Sequence, residues 1–478
     1  MKERTFLYYA TLLALLLWLP TAHAIELPDI GDTSESYLSL VEEQRLGEAF
    51  MRNLQGAINI VSDPEIESYI TTLGERLTTN SNSQQRFTFF VVNDPAINAF
   101  AGPGGYIGIN TGLIMASKSE SELASVLAHE IAHVTQRHLA RAFESATKSS
   151  LPTAAAIIAA IILASQGSDL GEAALATALA TSTQKQINFT RQNEKEADRI
   201  GMSLLASSQF DPQGMPAFFE RLYRHNKGYD NQNLEFLRTH PLTLSRIADT
   251  RNRAAQYPVT TASDQTGYHL IKTRLQVLSS HDSEKSVEQF REQLENAPAE
   301  KKHIARYGYA LSLAKNGQHS AAMAQIKSLI KDFPEQVSYH VAAANIAYAA
   351  GNFANAAAIC EENLKLFPHH HALTSLYALT LLKQGDSSRA SALLYEHLRR
   401  HPFNPQLYKL LAQAEHHNDK LPASHEALAE YYYLRGITHS AIEQLDIALD
   451  LTPTTDTATR ARITFRRKQL EEEIEASK

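Results

Sequence analysis

Two histidines and a glutamate in the segment HEIAH (residues 129–133) have the types and spacing of a metal site. On a helix, positions i and i+4 lie about 40° apart around the axis and about 6 Å apart along it. Both imidazoles, His129 and His133, can therefore hold one Zn²⁺, while Glu130 can act as general base towards the attacking water. The motif predicts a zinc hydrolase, and the alternative is a pair of core histidines satisfied by hydrogen bonds.

A third protein ligand is needed, because a catalytic zinc keeps its fourth position for water. His138 is disfavoured, because no glycine interrupts the predicted helix and five residues turn it about 140° away from His133. Glu194 and Asp198 are i and i+4 on a second predicted helix, whereas Glu196 points about 200° away from Glu194. One carboxylate can ligate zinc while the other accepts the free N–H of a zinc-bound imidazole. The alternative for this pair is a solvated acidic face.

His240 and Arg246 are two further catalytic candidates. His240 precedes Pro241 in a predicted loop, where it can donate a hydrogen bond to the oxyanion of the tetrahedral intermediate. It can instead occupy the fourth zinc position and hold the enzyme shut, or be a structural turn histidine. Arg246 can serve the same oxyanion or brace the loop.

The elements that carry these residues are mostly helical. One long helix is predicted over about 119–146 and a second over 188–208. The aromatic and β-branched run at 87–92 predicts a strand, and 98–101 and 106–109 predict two short strands around a Gly-Pro-Gly-Gly turn. Near residue 63, Asp63-Pro64 has the form of a helix cap followed by proline at the first helical position.

The motifs together resemble the gluzincin metallopeptidases that include the CAAX prenyl protease and HtpX. The matching segments are HEIAHVTQRH (129–138), NEKEADRIG (193–201), NAFAGPGGY (98–106) and THPLTLSRI (239–247). The family pattern is HExxH followed by ExxAD, and it implies that Glu194 is the third zinc ligand and that Asp198 is the matching aspartate. The edge strand before the active helix is expected to hold an extended substrate by main-chain hydrogen bonds.

The C-terminal half carries a repeat of 34 residues. Gly317, Gly351 and Gly385 keep this period, and a proline follows each glycine by 17 residues. A further pair, Gly436 and Pro453, comes 51 residues after the previous pair, which predicts that one helix was added or dropped near Asp419. The pattern resembles the tetratricopeptide repeat, with a weaker unit expected at 268–298. The His369–His371 run follows a repeat proline, where a solvated junction is favoured over a metal site.

An N-terminal signal for export is expected. Lys2 and Arg4 precede an apolar run at 6–20, and Ala22 and Ala24 are the small residues that a signal peptidase reads. The apolar run is shorter than the ~20 residues that a membrane span needs, which disfavours an uncleaved anchor. Cleavage after Ala24 and the presence of only one cysteine are typical of a bacterial periplasmic protein.

Length and composition set the remaining limits. The chain of 478 residues predicts two domains, and 44 % hydrophobic with 20 % charged residues is an ordinary globular composition. The formal net charge is −7 without a basic stripe, so nucleic acid is not an expected partner. The alanine-rich segment 151–180 is too interrupted to span a bilayer, and the choice is between a buried or docked helix and peripheral membrane contact.

The expected organisation is a signal peptide at 1–24, a zinc metallopeptidase domain at 25–258 and a tetratricopeptide-repeat domain at 259–478. The expected fold is mainly α: an α+β zincin-type domain with a small sheet, followed by an α-solenoid. One Zn²⁺ per chain is the expected cofactor. The resemblance extends to periplasmic family members that carry such repeats, and it implies quality control of outer-membrane β-barrel proteins, with barrel proteins and their assembly machinery as partners of the repeats. The alternative is a chaperone or adaptor whose zinc site is structural or latched.

Overall fold

The computed structural model describes residues 39–81, 83–144, 191–228, 236–258 and 265–476. The predicted signal peptide and the alanine-rich segment 151–180 lie outside these residues. Within them, no helix combines the length and the apolarity that crossing a membrane requires. The structure is mainly helical with one small sheet, as the sequence predicted.

The N-terminal part consists of helices and a sheet that precede the 34-residue repeats. Its helices are α1 (Leu40–Ala57), α2 (Pro64–Thr78), α3 (Thr111–Ala116), α4 (Glu120–Thr135), α5 (His138–Glu144), α6 (Arg191–Ser207), α7 (Gly214–Gly228), α8 (Phe236–Thr239) and α9 (Leu244–Ala254). The predicted cap of α2 is confirmed, because the Asp63 side chain accepts hydrogen bonds from the backbone N–H groups of Glu65 and Ile66. α7 begins at Gly214, two residues after Pro212.

The sheet is formed by the three predicted strands. These are β1 (Thr88–Val92), β2 (Ala99–Ala101) and β3 (Tyr106–Asn110), in the spatial order β1-β3-β2. β1 pairs with β3 in parallel, and β2 pairs with β3 antiparallel with Phe100 opposite Gly108. β2 lies against α4, so the short strand flanks the helix that carries the histidine motif.

Helix α4 is buried on all sides rather than along one stripe. Every residue from Glu122 to Val134 is buried, and a helix enclosed in this way belongs to the centre of a domain. The prediction of one continuous helix to about 146 was wrong. α4 ends at Thr135, Arg137 takes a left-handed φ of 52°, and α5 begins at His138.

Helices α4 and α6 meet at a glycine. A Cβ placed on Gly201 of α6 would lie 3.1 Å from the backbone of Ala128 and His129 in α4. A side chain at this position would require the facing backbone to shift by a few tenths of an ångström. Gly201 therefore sets the distance between the two helices that carry the predicted metal ligands.

The C-terminal part is a row of helix pairs. Its helices are α10 (Thr266–Ser279), α11 (Ser283–Asn296), α12 (Lys302–Lys315), α13 (His319–Asp332), α14 (Val337–Ala349), α15 (Phe353–Leu366), α16 (His371–Gln384), α17 (Ser387–Leu398), α18 (Pro405–His417), α19 (Leu421–Leu434), α20 (Thr438–Leu451) and α21 (Thr457–Ala476). α10 and α11 form the weaker unit predicted at 268–298. Neighbouring helices bury their apolar faces against each other, as expected for an α-solenoid.

The turns of the repeat explain its period. Gly317, Gly351 and Gly385 have left-handed φ angles of 76°, 74° and 81° and lie between the two helices of their pairs. Asp419 stands 34 residues after Gly385 and takes the same conformation, with φ of 58°. Three helices, α17, α18 and α19, separate Gly385 from Gly436, whereas two separate the earlier glycines, so the irregular spacing reflects an added helix. Asp419 lies between α18 and α19, at the position that glycine holds in the earlier pairs.

The helix row returns to the N-terminal part at several places. Near its start, Arg274 of α10 donates hydrogen bonds to Asp63 at 2.7–3.0 Å and pairs with Glu65 at 3.0 Å. Near its end, Arg52 of α1 pairs with Glu473 of α21 at 3.1 Å. The solenoid thus contacts both α1 and α2 instead of extending away from them.

We predict that Gly201→Val loosens the contact between α4 and α6. Overpacking of this kind costs about 1–3 kcal/mol, so the thermal midpoint of unfolding falls and metal affinity decreases, because Glu194 moves away from the histidines. The control is Ser203→Val, which introduces the same side chain at an exposed position of the same helix. Equal midpoints and metal affinities for the two variants would contradict this account of the helix contact.

Candidate metal centre

Four predicted site residues converge at the centre of the N-terminal part. His129 and His133 lie on α4, Glu194 lies on the first turn of α6, and His240 follows α8. All four side chains are buried, and one potential ligand atom of each lies within 4.8 Å of the others. Residues more than 100 positions apart are therefore brought to one point.

The distances between these atoms fit a tetrahedral metal site. His129 Nε2 lies 3.1 Å from His133 Nε2, 3.4 Å from His240 Nδ1 and 3.4 Å from the Glu194 carboxylate. That carboxylate also lies 3.5 Å from His133 Nε2 and 3.1 Å from His240 Nδ1. A tetrahedron with metal–ligand bonds of about 2.0–2.1 Å has edges of about 3.3 Å. The donor set therefore fits a metal ion in both chemistry and spacing.

Asp198 and Arg246 contact two of these four residues: Asp198 contacts His129, and Arg246 contacts Glu194. Asp198 Oδ1 lies 3.1 Å from His129 Nδ1, which leaves Nε2 facing the cluster. Arg246 of α9 donates hydrogen bonds to Asp198 at 2.7 and 2.8 Å and pairs with Glu194 at 2.8 Å. Burial opposes ionisation of Asp198, but hydrogen bonds from Arg246 and His129 lower the pKa of its carboxyl group. The aspartate is thus kept as an anion that orients the His129 ring.

The position of Arg246 favours one of its two predicted roles. Its Nε and Nη2 bond to Asp198, and its Nη1 donates to the carbonyl oxygen of Pro241 at 2.9 Å. Because these groups are engaged with the protein, the geometry favours bracing of the loop over binding of an oxyanion. The guanidinium also joins α6, α9 and the segment before α9.

His138 has a place in the centre that the sequence did not predict. Because the helix breaks at Arg137, His138 turns back, and its Nδ1 lies 2.8 Å from Nδ1 of His133. Its Nε2 lies 3.2 Å from Glu196. Glu196, His138 and His133 thus form a chain that orients the second imidazole, as Asp198 does for the first. The sequence analysis missed this contact because it assumed a continuous helix, which would carry His138 away from His133. The helix break at Arg137 places the two rings side by side.

Glu130 lies beside the cluster without being part of it. Its carboxylate is fully buried, and neither oxygen has a close hydrogen-bond partner among the described residues. Burial raises the pKa of Glu130, which makes the carboxylate a better proton acceptor. A buried carboxylate with a raised pKa next to a donor cluster is suited to general base chemistry.

His240 contacts both the cluster and Glu130. Its Nδ1 is at the fourth corner of the donor set, and its Nε2 lies 3.5 Å from Glu130 Oε1. The ring packs on Phe236, with centroids 4.8 Å apart and planes 25° apart. The structure therefore places His240 where water would otherwise complete the coordination, and this geometry favours the latch among its three predicted roles.

Comparison with known proteins identifies two matching families of domain models. Residues 64–254 match the model of peptidase family M48. Residues 307–371 and 347–414 match two models of the tetratricopeptide repeat. The first match contains every residue of the metal centre, and the other two lie within the helix row.

Relatives share both parts of the chain. The β-barrel assembly-enhancing protease of Escherichia coli K12 is 35 % identical over 423 residues, which cover 88 % of this chain and 86 % of that protein. Its Vibrio cholerae counterpart is 38 % identical over 407 residues, covering 85 % and 83 %. The mitochondrial metalloendopeptidase OMA1 of Arabidopsis thaliana is 37 % identical over 151 residues, covering 32 % and 28 %.

We predict that Asp198→Asn weakens metal binding about 10–100-fold, the usual effect of losing the partner of a ligating imidazole. The amide keeps the size of the side chain but no longer matches both Arg246 and His129. Competition with a chromophoric chelator measures the affinity. Asp249→Asn is the control, since Asp249 pairs with Arg253 on the exposed side of α9. Unchanged affinity in Asp198→Asn would contradict the assigned role.

Proposed function

The chain belongs to the β-barrel assembly-enhancing proteases, a family of M48 metallopeptidases with tetratricopeptide repeats, and we propose that it is a zinc-dependent endopeptidase of outer-membrane protein assembly. The observation that carries this proposal is the tetrahedral donor set beside the buried carboxylate of Glu130. A catalytic zinc site has three protein ligands and one exchangeable position, and the donor set has that composition once His240 moves.

Each residue receives a role from its position. His129, His133 and Glu194 would hold the metal, and Asp198 orients His129. Zinc, when bound, would supply Lewis-acid polarisation of the scissile carbonyl group and of water. Glu130 accepts a proton from the water that attacks the peptide carbonyl and passes it to the nitrogen of the leaving amine. Arg246 is a positioning residue that keeps Asp198 and Glu194 in place.

An extended substrate would lie along β2. This strand is at the edge of the sheet and pairs only with β3 among the described strands. Ala101, its last residue, is close enough to Glu130 for its backbone to act on that carboxylate. A peptide that adds to the edge by main-chain hydrogen bonds would therefore present its carbonyl groups next to the general base.

His240 supports a second candidate function, that of a latched enzyme or adaptor. In the conformation described, one imidazole fills the fourth metal position and faces Glu130 with its other nitrogen. Cleavage then requires His240 to leave, so a protein with a permanent latch would act as a chaperone or adaptor. The two functions differ in whether proteolysis is needed for client maturation.

The surrounding assignments follow from the family and the helix row. The repeats would recruit barrel proteins or components of their assembly machinery, because stacked helix pairs present extended binding surfaces. Export after cleavage at Ala24 would place the protein in the periplasm, with a peptidase domain at 25–258 and repeats from 259. Residues 151–180 are the segment proposed to contact the membrane surface.

We predict that the mature chain binds zinc in both wild type and Glu130→Gln, but that only wild type cleaves an unfolded protein. The substitution removes the proton acceptor and leaves the ligands intact, so cleavage falls by at least 10²-fold. Zinc analysis and a gel assay of casein cleavage check this, with the exposed Glu362→Gln as control. Full rescue of client assembly in cells by Glu130→Gln would favour the adaptor.

We predict that His240→Ala raises proteolytic activity, because it opens the fourth metal position to water. The initial rate of casein cleavage by zinc-loaded protein is the measurement, and His416→Ala is the control at an exposed histidine. A loss of activity would instead identify His240 as an oxyanion donor. An unchanged rate would leave it as a structural turn residue.

A further inference from the structure

Three histidines of the helix row form a second cluster far from the first in sequence. His371 opens α16, His397 lies in the last turn of α17, and His401 follows one turn later. One nitrogen of each lies within 4.8 Å of the others. The solvated junction predicted for the His369–His371 run is therefore wrong for His371, which is 7 % exposed.

The rings are arranged around a common point. His371 Nδ1 lies 2.7 Å from His397 Nε2, and the His401 ring centroid is 4.6 Å and 4.5 Å from those of His371 and His397. His397 and His401 are i and i+4, and the backbone N–H of His401 bonds to the carbonyl of His397. This is the spacing that lets two imidazoles share one ion, as it does for His129 and His133.

Two imidazoles of the cluster, those of His397 and His401, are kept in the form that binds metals. Burial, with the neighbouring histidine charges, lowers the pKa of His397 to about 3 and that of His401 to about 4. Neutral imidazole is the ligating form.

A carboxylate from the peptidase domain supports the cluster from behind. Glu67 of α2 lies 3.3 Å from His371 Nε2 and also accepts a hydrogen bond from Asn404 at 3.1 Å. A proton on Nε2 of His371 would face Glu67 and leave Nδ1 as the lone-pair donor, and the side-chain amide nitrogen of Asn404 lies 3.5 Å from the same Nε2. At metal-bound histidines, a carboxylate commonly contacts one ring nitrogen while the other ring nitrogen binds the metal. Asp198 and His129 have the same arrangement in this chain.

We propose that His371, His397 and His401 form a second metal site, separate from the catalytic one, for a divalent transition metal that prefers imidazole nitrogen. Zn²⁺, Cu²⁺ and Ni²⁺ belong to this class. Three nitrogens leave one position of a tetrahedron for water. Binding replaces the hydrogen bond between His371 and His397, and their nitrogens move apart from 2.7 Å to about 3.3 Å.

The second site links metal binding to the docking of the repeats. Its ligands belong to α16, α17 and the turn after α17, whereas Glu67 belongs to α2 of the peptidase domain. Occupancy strengthens the 3.3 Å contact between His371 and Glu67, because a bound cation makes a ring N–H more acidic. The ion would therefore stabilise the contact between the two parts of the chain.

Metal stoichiometry of the full mature chain tests the proposal. Chelated and dialysed protein is titrated with Zn²⁺, and we expect two equivalents in wild type, one in His397→Ala and one in the double variant His129→Ala/His133→Ala. The remaining equivalent in His397→Ala supports casein cleavage, whereas that in the double variant does not. One equivalent in wild type, or two in His397→Ala, would overturn the proposal without affecting the proposed peptidase.

Two further variants and one spectroscopic measurement guard against misfolding of the buried variant. His401→Ala alters a less buried ligand and is expected to lose the same equivalent, with His416→Ala as the matched control at an exposed position. Glu67→Gln is expected to weaken this site about 10–100-fold, whereas Glu75→Gln on the exposed side of α2 leaves it unchanged. We expect the electron paramagnetic resonance spectrum of Cu²⁺ added to the double variant to show hyperfine splitting from imidazole nitrogens. Absence of this splitting would contradict the three-histidine site.

Discussion

The guanidinium of Arg246 is the interaction on which the metal centre depends. It is buried with Asp198 and Glu194, and it bonds to both carboxylates and to the carbonyl of Pro241. Two anions without this cation would be uncompensated charges in the interior, and breaking such a pair costs about 3–5 kcal/mol. The same side chain thus keeps a metal ligand ionised, orients the partner of a second ligand and fixes the segment that carries His240.

Charge compensation and close packing are coupled in this centre. α4 is enclosed by protein along the whole motif, so its histidines have no solvent to complete their hydrogen bonds. Each therefore has a protein partner behind it: Asp198 for His129, and His138 with Glu196 for His133. The approach of α6 at Gly201 allows these partners to reach α4. Removing water from the site strengthens every one of these contacts.

The sequence predicted the parts of this structure that depend on local spacing. The sequence alone shows the i, i+4 pairs on α4 and α6, the strands and the 34-residue period. The structure contains these elements and brings the two pairs together as expected. The break at Arg137 was not predictable, because a left-handed arginine has no local signal comparable to glycine. The cluster of His371, His397 and His401 was missed because it forms only when the two helices of one repeat, α16 and α17, pack side by side. The repeat that contains Asp419 was not recognised in the sequence, because aspartate stands at the left-handed turn position that glycine holds in the earlier repeats.

The return of the helix row to α1 and α2 has a consequence for how this protein can change. An open solenoid can gain or lose repeats, because each unit contacts only its neighbours. Here three contacts tie the helix row to the N-terminal part. They are Arg274 with Asp63 near the start of the row, His371 with Glu67 in the middle and Glu473 with Arg52 at the end. Inserting one 34-residue unit between the second and third contacts would displace Glu473 from Arg52. The number of repeats is therefore a fixed dimension of the molecule, and diversity of binding must arise from substitutions on the helices.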